Sequence, residues 1–251
     1  MRPLQTDLSV FNKFKFEKPP IGVKFQYFKP EGIPRLDKSL AFCEMIKEAQ
    51  RIRTPFYFTK ENENCFGKVP LGMQKVASWG EGGEFGASLE IFQEPRANAR
   101  IYQYVPKFPE GTVNYVALSS LDKLTFEPDL LILIATPSQA EIVLRAMSYS
   151  TGQLWESKVT GVLGCAWIFV YPYKSGRINY MPTGITFCAK ALEPIPEGWI
   201  LISIPWDWLP IITQNLKEMK WVLPSYSEGR ERYLKRKESL IAKLTRKAEN
   251  P

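Results

Sequence analysis

The stretch "PDLLILIATPSQAEIVLRAM" (residues 128–147) changes its apolar period partway along. "LLILIA" is an unbroken apolar run of strand length, whereas beyond Pro137 the apolar residues recur at helical spacing. Proline suits the first turn of a helix, where its missing N–H would be unpaired in any case. The stretch therefore reads as a strand followed by a helix. A second stretch, "PEGWILISIPWDWLPIITQNL" (residues 196–216), has the same punctuation: Pro196 and Pro205 each lie 68 positions after Pro128 and Pro137. Two strand-to-helix units of one design predict an α/β (or α+β) fold, a mixed sheet with flanking helices, with an internal pseudo-repeat as one explanation of the match.

Upstream, "PPIGVKFQYF" (19–28) predicts an early strand, with Val23, Phe25 and Tyr27 alternating. A helix capped by Asp37 or Ser39 is expected to run to about Arg53, with Leu36, Leu40, Phe42, Cys43, Ile46 and Ala49 on its inner face. "PFYF" (55–58) is a short strand candidate, "ENENCFGK" (61–68) a turn, and "VPLGMQKVASW" (69–79) a helix. The glycine-rich "GEGGEFG" (80–86) misses the phosphate-binding spacing and carries two glutamates that would repel a phosphate, so it reads as a flexible loop. Between the two strand–helix units, "GVLGCAWIFVYPY" (161–173) reads as a small-residue turn entering apolar structure. "RINYMPTGITFCAKALEP" (177–194) reads as a turn and then a strand that carries Cys188.

With 251 residues the chain has the length to bury about three quarters of its unfolded surface without disulfides or metals. Its 45% hydrophobic and 24% charged content is that of a globular protein. The net charge of +7 is uneven: residues 225–251 hold eight Lys or Arg against four Asp or Glu. The chain is read as one domain over residues 1–224 and a basic amphipathic C-terminal helix over 225–251, docked by the stripe Tyr233, Leu240, Ile241, Leu244 and Ala248. No aromatic platform interleaves those cations, which disfavours nucleic acid as a partner. No apolar run reaches the roughly 18 residues of a membrane span, and the first residues lack an export signal. A cytoplasmic location with reduced thiols is the expectation.

There is no histidine. That removes Ser-His-Asp and Cys-His nucleophilic machinery, mixed Cys/His zinc sites and His-ligated haem. A soft metal here must be held mostly by cysteine, and proton transfer must use Glu, Asp, Lys, Tyr, Cys or a cofactor.

"PPIGVKF", "FCEMIKEA", "NCFGKVPLG", "FEPDLLILIATPSQAEIVLRAMSYSTG", "GCAWIF" and "GITFCAKA" together resemble landmarks of the domain of unknown function 169 family of archaea and bacteria, over about residues 15–220. The basic tail falls outside the resemblance, and "PDLLILIATPSQA" is its most specific piece. The resemblance implies no settled activity. It does imply that cysteines recur at several landmarks, with Cys65 and Cys188 matching most closely. The chain departs from the pattern at "FCAKA", where a glycine-flanked turn is expected.

The four cysteines, Cys43, Cys65, Cys165 and Cys188, are separated by 22 positions in the first pair and 23 in the last. Four thiolates are a complete shell for zinc or an iron–sulfur cluster, yet the CxxC knuckles and the CxxCxxC run are missing. Buried cysteine also serves as a small hydrophobe, the competing reading for Cys43 and Cys165. Cys65 differs, because its polar, turn-rich surroundings give a thiol little to pack against. Lys68 and a following helix N-terminus would favour its thiolate. Lys24, Tyr57 and Glu63 are its other polar neighbours in sequence.

Three functions remain open. The first is a cysteine-centred protein holding zinc or an iron–sulfur cluster, with a redox partner. The second is a non-catalytic small-molecule module, its pocket framed by the strand ends before Pro137 and Pro205 and contacted by Ser138 and Gln139, since α/β sheets place ligands beyond strand C-termini. The third is an interaction protein using Trp206 and Trp208, residues that core packing at a strand–helix junction explains equally well.

Overall fold

A computed structural model of the chain describes residues 6–192, 195–223, 226 and 228–249, with the side chains of Cys188 and Ala189 outside the described residues. Six strands form one sheet: β1 (Ile21–Gln26), β2 (Phe56–Phe58), β3 (Tyr115–Ser120), β4 (Leu130–Ala135), β5 (Asn179–Pro182) and β6 (Ile200–Pro205). Their order is β2-β3-β1-β4-β6-β5, and every pairing is antiparallel. Helices flank the sheet, so the expected sheet-and-helix architecture takes its α+β form.

The strand "LLILIA" is β4, near the middle of the sheet, and all six of its residues are buried. Alternation sends Leu130, Ile132 and Ile134 into one core and Leu131, Leu133 and Ala135 into another. Cover on both faces is why this strand is apolar throughout.

The second face is covered by α5 (Pro137–Tyr149) and α8 (Leu209–Glu218), which follow β4 and β6 and pack on each other. Thr136 caps α5 reciprocally: its Oγ1 accepts from the Gln139 N–H at 3.3 Å, and the Thr136 N–H donates to Gln139 Oε1 at 2.9 Å. Buried Asn215 ties the helices together, its Nδ2 donating to Ala146 O and Ser150 Oγ, both at 2.8 Å. The two units are alike in order but their prolines are not equivalent. Pro137 opens α5, whereas Pro205 is the last residue of β6 and Pro210 takes the helix-start role in α8.

The first face carries α1 (Phe42–Ile52) and a π-helical turn, Ala166–Val170. Phe42 stacks on Phe169 with ring centroids 3.7 Å apart, fixing the start of the helix against the turn. Neither Asp37 nor Ser39 caps α1. The N-cap is Ala41, and the Glu44 carboxylate accepts from its N–H at 2.8 Å.

Other segments differ from expectation in instructive ways. Residues 67–74 form turns, not the start of a helix, so no helix N-terminus follows Cys65. The glycine-rich segment is not a loop but two helical turns, α2 (Ser78–Glu81) and α3 (Glu84–Ser88), separated by Gly82 and Gly83. Gly83 has φ +88°, and a Cβ there would stand 2.0 Å from Pro95 O in α4 (Pro95–Tyr102), so only glycine fits. In 177–194 the order is inverted: strand β5 comes first, and Cys188 lies on the short helix α7 (Phe187–Ala191). α6 (Tyr171–Ser175) continues the π-helical turn.

Trp206 and Trp208 pack against the second core, and Trp208 Nε1 donates to Gly176 O at 2.8 Å, which satisfies the packing reading. The C-terminal helix forms as α9 (Gly229–Glu249), but none of its described residues is buried. Its stripe is undocked, with Leu240, Ile241 and Leu244 exposed. No helix among the described residues is long and apolar enough to cross a membrane.

Candidate functional site

Three of the four cysteines meet. Cys43, Cys65 and Cys165 line one cavity on the α1 face, together with buried Glu63. Each thiol arrives from a different element: Cys43 from the first turn of α1, Cys65 from the turn-rich segment, Cys165 from the residue preceding the π-helical turn. All three are thiols rather than disulfides.

Local structure explains how they converge. Leu40 and Glu63 form an isolated parallel bridge, with the Leu40 N–H donating to Asn62 O at 2.8 Å and the Asn64 N–H to Leu40 O at 3.2 Å. Asn62 is buried, and its Nδ2 holds Leu36 O at 2.9 Å and Lys38 O at 3.0 Å. These bonds dock the Cys65 segment beside the start of α1. The Phe42–Phe169 stack then draws Cys43 toward Cys165, one residue from each ring's own segment. On the far side, the Phe187 N–H donates to Gly161 O at 2.9 Å, and Thr186 closes on Gly164. Leu163, in the cavity wall, holds the left-handed conformation at φ +54°, a strained state for a leucine.

Glu63 is 1% exposed and receives backbone donors. The Phe42 N–H reaches Oε1 and the Lys68 N–H reaches Oε2, both at 3.3 Å. Burial raises its carboxyl above the ordinary range, opposed by the N–H groups of Lys68, Phe42 and Cys65 and then by the Lys68 charge. Gly67 is required by this packing, since a Cβ there would lie 2.9 Å from Glu63 Oε1 and 3.1 Å from Phe42 Cβ.

Cys43 and Cys165 are held in their neutral form. Burial pushes Cys43 up to about 12, with repulsion from Cys65 and Glu44 adding to it. Burial also raises Cys165 far above the usual thiol range, reinforced by Glu63, Cys43 and Cys65. Cys165 retains accessible surface while being enclosed by protein, because that surface faces the cavity. Asn98 supplies a further feature of the wall. It is 1% exposed, its Nδ2 donates to Gly83 O at 3.1 Å, and its Oδ1 has no donor among the described residues.

The remaining sequence-predicted residues are distributed as follows. Cys188 has its side chain outside the described residues, although its neighbours Thr186 and Phe187 line the cavity. Lys68 is adjacent and contacts the site through its backbone and its charge on Glu63. Ser138 and Gln139 are on the opposite face of the sheet, where Ser138 is exposed and Gln139 is spent on the α5 cap and on Phe14 O at 3.0 Å. The strand ends before Pro137 and Pro205 do not frame one pocket either. β4 and β6 are antiparallel, with Ala135 opposite Ile200 and Leu130 opposite Pro205, so those ends point to opposite edges of the sheet. Lys24 donates to Glu127 O and Tyr57 packs on Tyr115, both away from the thiols. Asn98 and Thr186 were not foreseeable, because nothing in "PRANARIY" or "PTGIT" marks a polar residue for a cavity wall.

The cavity is small, at about 50 Å³. One water needs ~10–15 Å³ by the same measure and organic ligand pockets run to ~300–1,000 Å³, so this space suits a compact group of a few atoms. Among the described residues no group of three or more Cys, His, Asp or Glu side chains is set to hold a single metal ion.

Comparison with known proteins returns one family. The model of domain of unknown function 169, described as uncharacterised ArCR, matches residues 11–215. No curated protein and no solved structure matches the chain.

Proposed function

The chain belongs to the domain of unknown function 169 family, and on that premise we propose that its thiol cavity is a cofactor site holding an iron–sulfur cluster, or another thiophilic metal centre, through Cys43, Cys65 and Cys165. The observation that carries this reading is the convergence of three thiols from three distant segments, with a buried carboxylate, on one cavity. Packing alone gives no reason to collect them beside Glu63, since thiols that serve as small hydrophobes can be dispersed through a core.

Electrostatics supports a cation. Thiols raised this far are neutral at pH 7. With a metal bound, Cys43 and Cys165 would be held as thiolates by its positive charge and would release their protons. The separations of the sulfurs in the loaded protein would tell a cluster from one zinc ion, because cluster ligands stand about 6–7 Å apart against about 3.5–4 Å around a single tetrahedral metal. Asn98 Oδ1, buried in the wall with no donor among the described residues, supports the reading as an acceptor for a polar group in the same space. Cys188, two residues beyond Thr186, is the fourth ligand in this reading. A bound cluster would supply one-electron chemistry; the protein supplies thiolates, exclusion of water and the Glu63 charge.

Anaerobic purification and reconstitution with iron and sulfide test the reading. Brown protein with stoichiometric iron and sulfide is expected, accompanied by proton release on loading and lost in Cys43→Ser and Cys165→Ser variants. Colourless protein that retains neither iron nor zinc, with thiols that titrate fully in the unfolded chain, would overturn it.

A further inference from the structure

A second cavity of about 550 Å³ opens next to the first, within the range of sites for small organic ligands. Helix α1 joins the two. Cys43, Lys47 and Gln50 lie on one face of it, within about 60° of one another, so the thiol cavity and this groove are separated by about 6–10 Å of helix. The segment from Gly184 to Lys190 likewise contributes to both.

The groove has an apolar body and a cationic rim. Trp199, Ile134 and Ile195 form the apolar surface, while Lys18, Lys47, Arg51 and Lys190 face Glu17 and Glu197 across the rim. Two of the four cations are already engaged. Arg51 makes a two-pronged contact with Glu48, at 2.7 and 2.8 Å, and Lys190 stands 3.6 Å from Glu197. Lys18 and Lys47 take part in no ion pair among the described residues. Two ammonium groups without an ion pair among the described residues, lining the same groove as a half-buried indole, match a molecule with one acidic end and one apolar end.

We propose that this groove binds an organic acid with a flat apolar body, its carboxylate held by Lys18 and Lys47 and its body laid against Trp199. The proposal stands on the groove alone and does not require the cofactor reading. Where both hold, α1 sets the bound acid beside the redox centre.

The test is calorimetric titration of the full-length, metal-free protein with 1-naphthoate and with the neutral 1-naphthamide. Naphthoate is expected to bind at least about tenfold more tightly, equivalent to ~1.4 kcal/mol. The Lys18→Ala/Lys47→Ala double variant should erase that preference and leave naphthamide unchanged. Trp199→Leu should weaken both ligands, with its thermal unfolding recorded to confirm an intact fold. Equal affinity for the two probes, a preference that survives the double substitution, or absence of saturable naphthoate binding each overturns the proposal. Using metal-free protein keeps the result separate from the fate of the cofactor reading.

Discussion

The two faces of the central sheet are built by different routes. On the α5–α8 face each helix follows its strand directly, so the layer is assembled from two local units and closed by contacts such as Asn215 to Ala146 O. On the α1 face the cover comes from segments far apart in the chain: α1, the turn around Cys65, the helical turns after residue 78, the π-helical turn and α7. The α5–α8 face contains regular periods and few polar groups needing special partners. The α1 face contains buried Glu63, Asn62 and Asn98, a left-handed leucine and the converging thiols. Regular packing supports the fold, and the irregular layer is where the proposed cofactor site lies.

Four substitutions sharpen or break that contrast. The largest effect is expected at Phe42→Ala, which removes a fully buried ring stacked on Phe169. Its stability should fall by ~3–5 kcal/mol in urea unfolding, and Cys165 should become faster to alkylate. A loss below about 1 kcal/mol would show that this stack does not hold the site face together. Gly83→Ala comes next, since its Cβ must displace Pro95 O or the backbone must leave φ +88°. A cost of ~1–3 kcal/mol is expected, again with faster thiol alkylation, because Gly83 O anchors Asn98.

Thr136→Ala removes one half of the α5 cap and should cost ~1 kcal/mol. Thiol reactivity should be unchanged, because α5 lies on the other face. A thiol response as large as that of Gly83→Ala would mean that the two layers are coupled rather than separable.

The smallest effect is one of pH. Glu48, on α1, is lowered from 4.5 to about 2, first by its hydrogen bond to Arg51 and then by Lys38. A carboxyl depressed in the folded state stabilises fully above its unfolded value and loses that contribution as pH falls through the folded value. The stability of the wild type should therefore decline between pH 4.5 and about 2 more steeply than that of Glu48→Gln. Both cationic partners are substantially exposed, so the difference is modest. Parallel curves for the two proteins would remove Glu48 from the account of the α1 face.

The same contrast governs how much the sequence disclosed. β1, β2, β4, α5 and β6 were legible because apolar period and proline placement are local signals, and α1 was legible apart from its start, since Leu36 and Leu40 precede the helix and Ala41 is its cap. The strand pairing was not, since antiparallel or parallel neighbours leave similar apolar runs when both faces are covered. It was this that put the strand ends before Pro137 and Pro205 at one pocket, whereas the antiparallel register separates them. Around the site, residues 69–79 carry a helix-like pattern that the turns from Gly67 to Gln74 override, because Gly67 must lie against Glu63. The polar context of Cys65 was a true local clue to the cavity. Asn98 was invisible, since its role depends on a contact across 15 residues to Gly83 O and on cavity walls drawn from elsewhere in the chain.

X-ray absorption at the metal edge of the anaerobically loaded protein addresses the central claim most directly. The account predicts a sulfur shell at about 2.3 Å, the metal–thiolate distance, that loses amplitude in Cys43→Ser and Cys165→Ser. A shell made only of oxygen or nitrogen, or one indifferent to those substitutions, would contradict it.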